Sequence, residues 1–76
     1  MVKKMFIKKD NVVVMFKQTD REMSATVLTN YGCTYKEIKE HFSCKEQGNA
    51  FYKLYVNEYG FTKAVEEDFD RIVRGY

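Results

Sequence analysis

The chain has 76 residues, enough for a single small domain over 1–76, with 13 Lys and Arg, 11 Asp and Glu, a net charge of +2 and 45% hydrophobic residues, too apolar and evenly charged for disorder. No apolar run approaches the roughly 20 residues of a membrane span, and the stretch Met5-Phe6-Ile7 is too short for the core of a signal peptide. Two cysteines, Cys33 and Cys44, are too few for a secreted disulfide scaffold, so the expectation is a cytoplasmic domain with no membrane partner.

The N-terminal third reads as strands. Asp10-Asn11 is a two-residue turn ahead of the β-branched run Val12-Val13-Val14. Folding about it pairs Lys9 with Val12, Ile7 with Val14 and Met5 with Phe16 on one face. The other face then receives Lys8 with Val13, Phe6 with Met15 and Lys4 with Lys17. A second turn at Thr19-Asp20-Arg21-Glu22 pairs Val14 with Val27 and Phe16 with Ala25. The two turns agree on which face is apolar, and that agreement sets the register, because a one-residue slip turns every side chain over.

The pattern therefore predicts a three-stranded antiparallel β-meander over about 3–29, with Met5, Ile7, Val12, Val14, Phe16, Ala25 and Val27 on its inner face. Its outer face mixes Lys4, Lys8 and Lys17 with Phe6, Val13, Met15, Thr26 and Leu28. Such a face is either covered by another element or binds something.

From residue 34 the spacing turns helical. Thr34-Tyr35-Lys36-Glu37 and Ser43-Cys44-Lys45-Glu46 both fit the capping box, in which a hydroxyl and a carboxylate satisfy free backbone donors. They predict helices over about 35–41 and 44–59, the second stopped by Gly60 in a left-handed conformation. Thr62 is placed to cap a last helix over about 63–75, with Val65, Phe69, Ile72, Val73 and Tyr76 as its apolar stripe and Glu67–Arg71 and Asp70–Arg74 as i,i+4 pairs. The middle helix carries two stripes, Phe51, Leu54 and Tyr55 beside Tyr52, Val56 and Tyr59, so it needs two surfaces to pack on. The fold expected is thus α+β, with two or three helices packed on one face of the meander.

Residue types for catalysis are sparse. The four glycines are scattered and form no phosphate loop, and neither Ser24 nor Ser43 sits in a nucleophile elbow. Cys33, His41 and Cys44, with Glu37 or Glu40, lack the close Cys or His pairs of a zinc site. Glu66-Glu67-Asp68-Phe69-Asp70 lacks the alternating ligands and glycine of a calcium loop and reads as a solvated helix face. No catalytic residue, metal or cofactor is expected, and the chain is read as a non-enzyme.

Binding remains. Twelve aromatic residues, six Tyr and six Phe, exceed what so short a chain needs for a core, and they are the residue types of interface hot spots. The first expectation is a protein-binding module, an inhibitor or adaptor of the phage or mobile-element type that blocks a larger partner through Phe6, Met15, Tyr52, Tyr59, Lys4, Lys8 and Lys17. The alternative is a nucleic-acid-binding module using Lys3, Lys4, Lys8, Lys9, Lys17 and Arg21. Residues 1–21 carry these six basic residues against two acidic ones (+4), while 22–76 carry seven against nine (−2). The strand-strand-strand-helix order is similar to that of the small N-terminal DNA-binding domains of tyrosine integrases, a likeness of topology alone. Arginine, the commonest base reader, is nearly absent from the predicted strands.

Overall fold

A computed structural model describes residues 2–74 as an α+β fold, a five-stranded antiparallel sheet with two helices. In chain order the elements are β1 (Lys3–Lys9), β2 (Val12–Gln18), β3 (Met23–Asn30), β4 (Tyr35–Phe42), α1 (Lys45–Asn57), β5 (Thr62–Ala64) and α2 (Glu66–Arg74). The sheet order is β4-β3-β2-β1-β5.

Both hairpin registers follow from their turns. Ile7 faces Val14, Met5 faces Phe16, Val14 faces Val27 and Phe16 faces Ala25. Asp10 takes a φ of 53°, in the left-handed region that Asp enters more readily than most residues. The Thr19 N–H donates to the Glu22 carbonyl at 2.9 Å, and the Thr19 hydroxyl accepts from the Glu22 N–H at 3.2 Å, closing the second turn. The seven inner-face residues all join one apolar cluster, where Met23, Phe42 and Phe61 also lie and which Phe51, Tyr52, Tyr55 and Val56 of α1 cover.

Residues 35–42 are a strand, not the expected helix over about 35–41. Tyr35, Ile38 and Phe42 fit a helical spacing, but a helix of about seven residues is marginal by itself. As β4 the segment pairs on one side along the whole of β3, from Met23–Phe42 to Asn30–Tyr35. Asn30 and Gly32 make the connecting turn: the Gly32 N–H donates to Asn30 Oδ1 at 2.9 Å, and Gly32 has a φ of +92°. The sheet is therefore larger than a three-stranded meander, and the strand-strand-strand-helix likeness does not describe it.

The expected long helix forms as α1, starting one residue later than its capping box implied. Cys44 is the N-cap, and Ser43 instead donates both its N–H (3.2 Å) and its hydroxyl (2.8 Å) to Gln47 Oε1. Gly48 lies against the buried Met23, whose thioether a Cβ would strike, so glycine lets α1 sit close on β3. Gly60, with φ +75°, turns the chain after α1, and the Phe61 N–H donates to the Tyr55 carbonyl at 3.1 Å.

Thr62 opens β5 rather than capping a helix. This three-residue strand pairs with β1 (Lys8–Thr62, Phe6–Ala64), and the chain then crosses to the other side of the sheet. There α2 packs Ile72 and Phe69 on Val13 and Leu28, so the helices occupy opposite faces and not one. Of the predicted stripe, Ile72 is buried and Phe69 half-buried, Val65 and Val73 are exposed, and Tyr76 lies outside the described residues. The Glu67–Arg71 pair forms at 3.4 Å.

Asp68 fastens α2. Its carboxylate accepts the Val65 N–H at 3.2 Å, while its own N–H donates to the Val65 carbonyl at 3.0 Å, and Lys8 Nζ of β1 approaches the same carboxylate at 3.4 Å. The bond from Val65, then that from Lys8, holds this carboxyl below its ordinary value of 3.8. The contribution is therefore complete above the ordinary carboxylate range and disappears as pH falls through and below it. Asp68→Ala should cost about 1 kcal/mol near neutral pH, the usual cost of a lost side-chain cap. It should also flatten the acid limb of stability, read as urea midpoints between about pH 2 and 6.

Candidate interaction surface

The residues expected to bind a partner are dispersed by the fold. Phe6 is half-buried, edge-on to Phe69 with centroids 5.8 Å apart, and Met15 shares an outer-face groove with Phe69, Lys17 and Thr26. Tyr52 is half-buried against Phe16 (5.3 Å, interplanar angle 78°). Tyr59 is exposed at the end of α1, edge-on to Tyr55 at 5.2 Å. Burial raises the Tyr55 phenol above its ordinary value, with Tyr59 and Glu40 adding to the effect, and ring contacts continue from Tyr55 through Phe51 to Phe42 of β4.

The basic residues divide in the same way. Lys4, Lys8 and Lys17 alternate onto the α2 face, Lys3 and Lys9 onto the α1 face, and Arg21 lies in the β2–β3 turn. Lys8 is committed to Asp68, and Lys9 Nζ donates to the Tyr59 carbonyl. Lys4 and Lys17 stand directly opposite each other. The six charges share no single open face.

Cys33, in the β3–β4 turn, and Cys44, at the start of α1, are free and exposed. They flank the eight residues of β4, an extended span of about 25 Å at strand rise, so they do not converge on one ion. His41 is exposed on β4, on the α2 face opposite Ser24. Among the described residues no helix is long and apolar enough to cross a membrane.

Other residues come together instead. The β3–β4 turn and the end of α2 enclose a hollow lined by Cys33, Thr34, Tyr35, Ile72, Val73 and Arg74. Tyr31 stands in the same turn at 62% exposure, with Tyr35 at 41% and Val73 at 45%. No family model matches the chain, and no curated protein or solved structure matches it. The site is therefore read from its own side chains. This one combines a tyrosine, an arginine and aliphatic residues around a concavity, with a second tyrosine exposed in the adjoining turn, a hot-spot composition. Sequence reading passed over it because residues 30–34 looked like the approach to a helix, and nothing local places that turn beside the end of α2.

Proposed function

We propose that this chain is a small non-enzymatic protein-binding module that acts as an inhibitor or adaptor by covering a surface of a larger partner. The observation that supports this reading is the hollow that Tyr35, Val73 and Arg74 line, with Tyr31 exposed in the adjoining turn. Tyrosine presents a large contact area with little rotamer entropy to lose, and exposed apolar groups rimmed by polar ones are the usual anatomy of a contact surface. Nucleic acid is the less favoured partner, because α2 sits on the face that carries Lys4, Lys8 and Lys17, and Asp68 neutralises Lys8.

Capture of a partner from the native host, identified by mass spectrometry, tests the reading with two variants. Tyr31→Ala with Val73→Ala should abolish capture, each hot-spot truncation costing about 2 kcal/mol or more. Lys4→Ala with Lys17→Ala should leave it intact. Titration against duplex and single-stranded DNA at about 50 and 200 mM salt supplies the opposite outcome. Micromolar binding that vanishes at the higher salt, and whose salt dependence the lysine variant flattens, replaces this reading with the nucleic-acid one.

A further inference from the structure

We propose that the chain self-associates through β4 into a two-fold dimer, the two five-stranded sheets joining edge to edge as one antiparallel sheet. Among the described residues β4 ends the sheet, and no strand pairs with the backbone donors and acceptors on its far side. It is eight residues long and exposed along nearly its whole length. The opposite edge is the three-residue β5, too short to hold a partner strand in register.

Long open edges are normally blunted by proline, a bulge or charge. β4 has charge, but the order Lys36-Glu37-Ile38-Lys39-Glu40 is self-complementary. A two-fold axis joining antiparallel strands stands perpendicular to the sheet and passes through the middle of one residue pair, so each face continues as the same face. Centred on Ile38, it sets Lys36 opposite Glu40 of the second copy and Glu37 opposite Lys39, each twice by symmetry. Tyr35 then faces His41, and Ile38 meets Ile38. Moving the centre by one residue sets Glu37 against Glu37, or Lys39 against Lys39. Only the Ile38-centred register is favourable, since opposite charges across a sheet attract and like charges repel.

Two features of the monomer leave this edge unsatisfied. Across from residues 36–40, β3 presents Thr29, Leu28, Val27, Thr26 and Ala25, none of them charged. Among the described residues, none of Lys36, Glu37, Lys39 and Glu40 is in an ion pair. Ile38, on the α1 face, is 44% exposed, and the apolar groove that Phe42 forms with Ala50, Phe51 and Leu54 lies over the same terminal strand. The dimer pairs the backbone edge, the four charges and Ile38 in one step. Tyr31 and Val73 lie outside β4, so the variants that test the partner surface leave the dimer edge unchanged, although Tyr35 belongs to both surfaces.

Sedimentation equilibrium from micromolar to millimolar concentration reads the association directly. The wild-type mass should rise from 9.1 kDa toward twice that value. Lys36→Glu with Lys39→Glu makes the strand wholly acidic, and Glu37→Lys with Glu40→Lys makes it wholly basic. Each variant alone should self-associate at least about tenfold more weakly, because four attractive pairs become four repulsive ones. Mixed in equal amounts, the acidic and basic variants should form a one-to-one heterodimer, which also shows that both are folded. A wild type that stays at 9.1 kDa throughout overturns the proposal. So does a variant that self-associates as the wild type does, or a mixture that stays monomeric.

Discussion

Phe16→Ala should cost about 3–5 kcal/mol, the range for deleting a buried phenylalanine. Phe16 is among the largest fully buried side chains, and it sits where the sheet meets α1, edge-on to Tyr52 at 5.3 Å and to Phe51 at 6.2 Å. A chain of this size has a total stability of only about 4–11 kcal/mol, so this one truncation removes a large share of it. The melting temperature should fall by on the order of 20 °C. Chemical denaturation with an unchanged slope checks that the loss lies in stability and not in a changed denatured state. A loss below about 1 kcal/mol would mean that α1 does not cover this face.

Leu28→Ala should cost about 2–5 kcal/mol, because the second face of the sheet is also a core. Leu28 is fully inaccessible, packed with Val13 and Ile72 and flanked by Phe69. On a meander with an open outer face the same substitution would fall within about ±0.5 kcal/mol, as surface changes do. The size of the effect therefore tests the placement of α2 directly. Amide exchange adds a second readout: protection in α2 should drop more than in α1, since the cavity opens on the α2 side.

These two substitutions lie on opposite faces, and the faces differ in how legible they were. The α1 face could be read from residues 5–27, because alternation at period two and two turns of suitable composition are local features that reinforce each other. Phe16 follows from that reading alone. Leu28 was assigned to the outer face, but its burial depends on Phe69 and Ile72, more than forty residues further along the chain. The expected contact residues show the same division. Phe6 and Met15 were recognised as apolar groups among lysines, yet whether they meet a partner or α2 is decided by the path of the chain after Gly60.

By itself, the sequence determined the pairing of β1, β2 and β3, the residues that α1 covers, the reversal at Gly60 and the apolar pair Phe69 and Ile72 of α2. Each of these rests on side-chain periodicity or on a backbone conformation that few residues adopt, information carried within a few neighbouring positions. Tertiary structure decided the rest. Residues 35–42 had spacing for a helix and became β4, because the open edge of β3 offers partners to the backbone groups on one side of the segment along its whole length. β5 has too few residues to show any period and exists only as a partner for β1. That short strand carries the chain to the far edge of the sheet, and α2 then closes over the face on which Val13 and Leu28 would otherwise meet water.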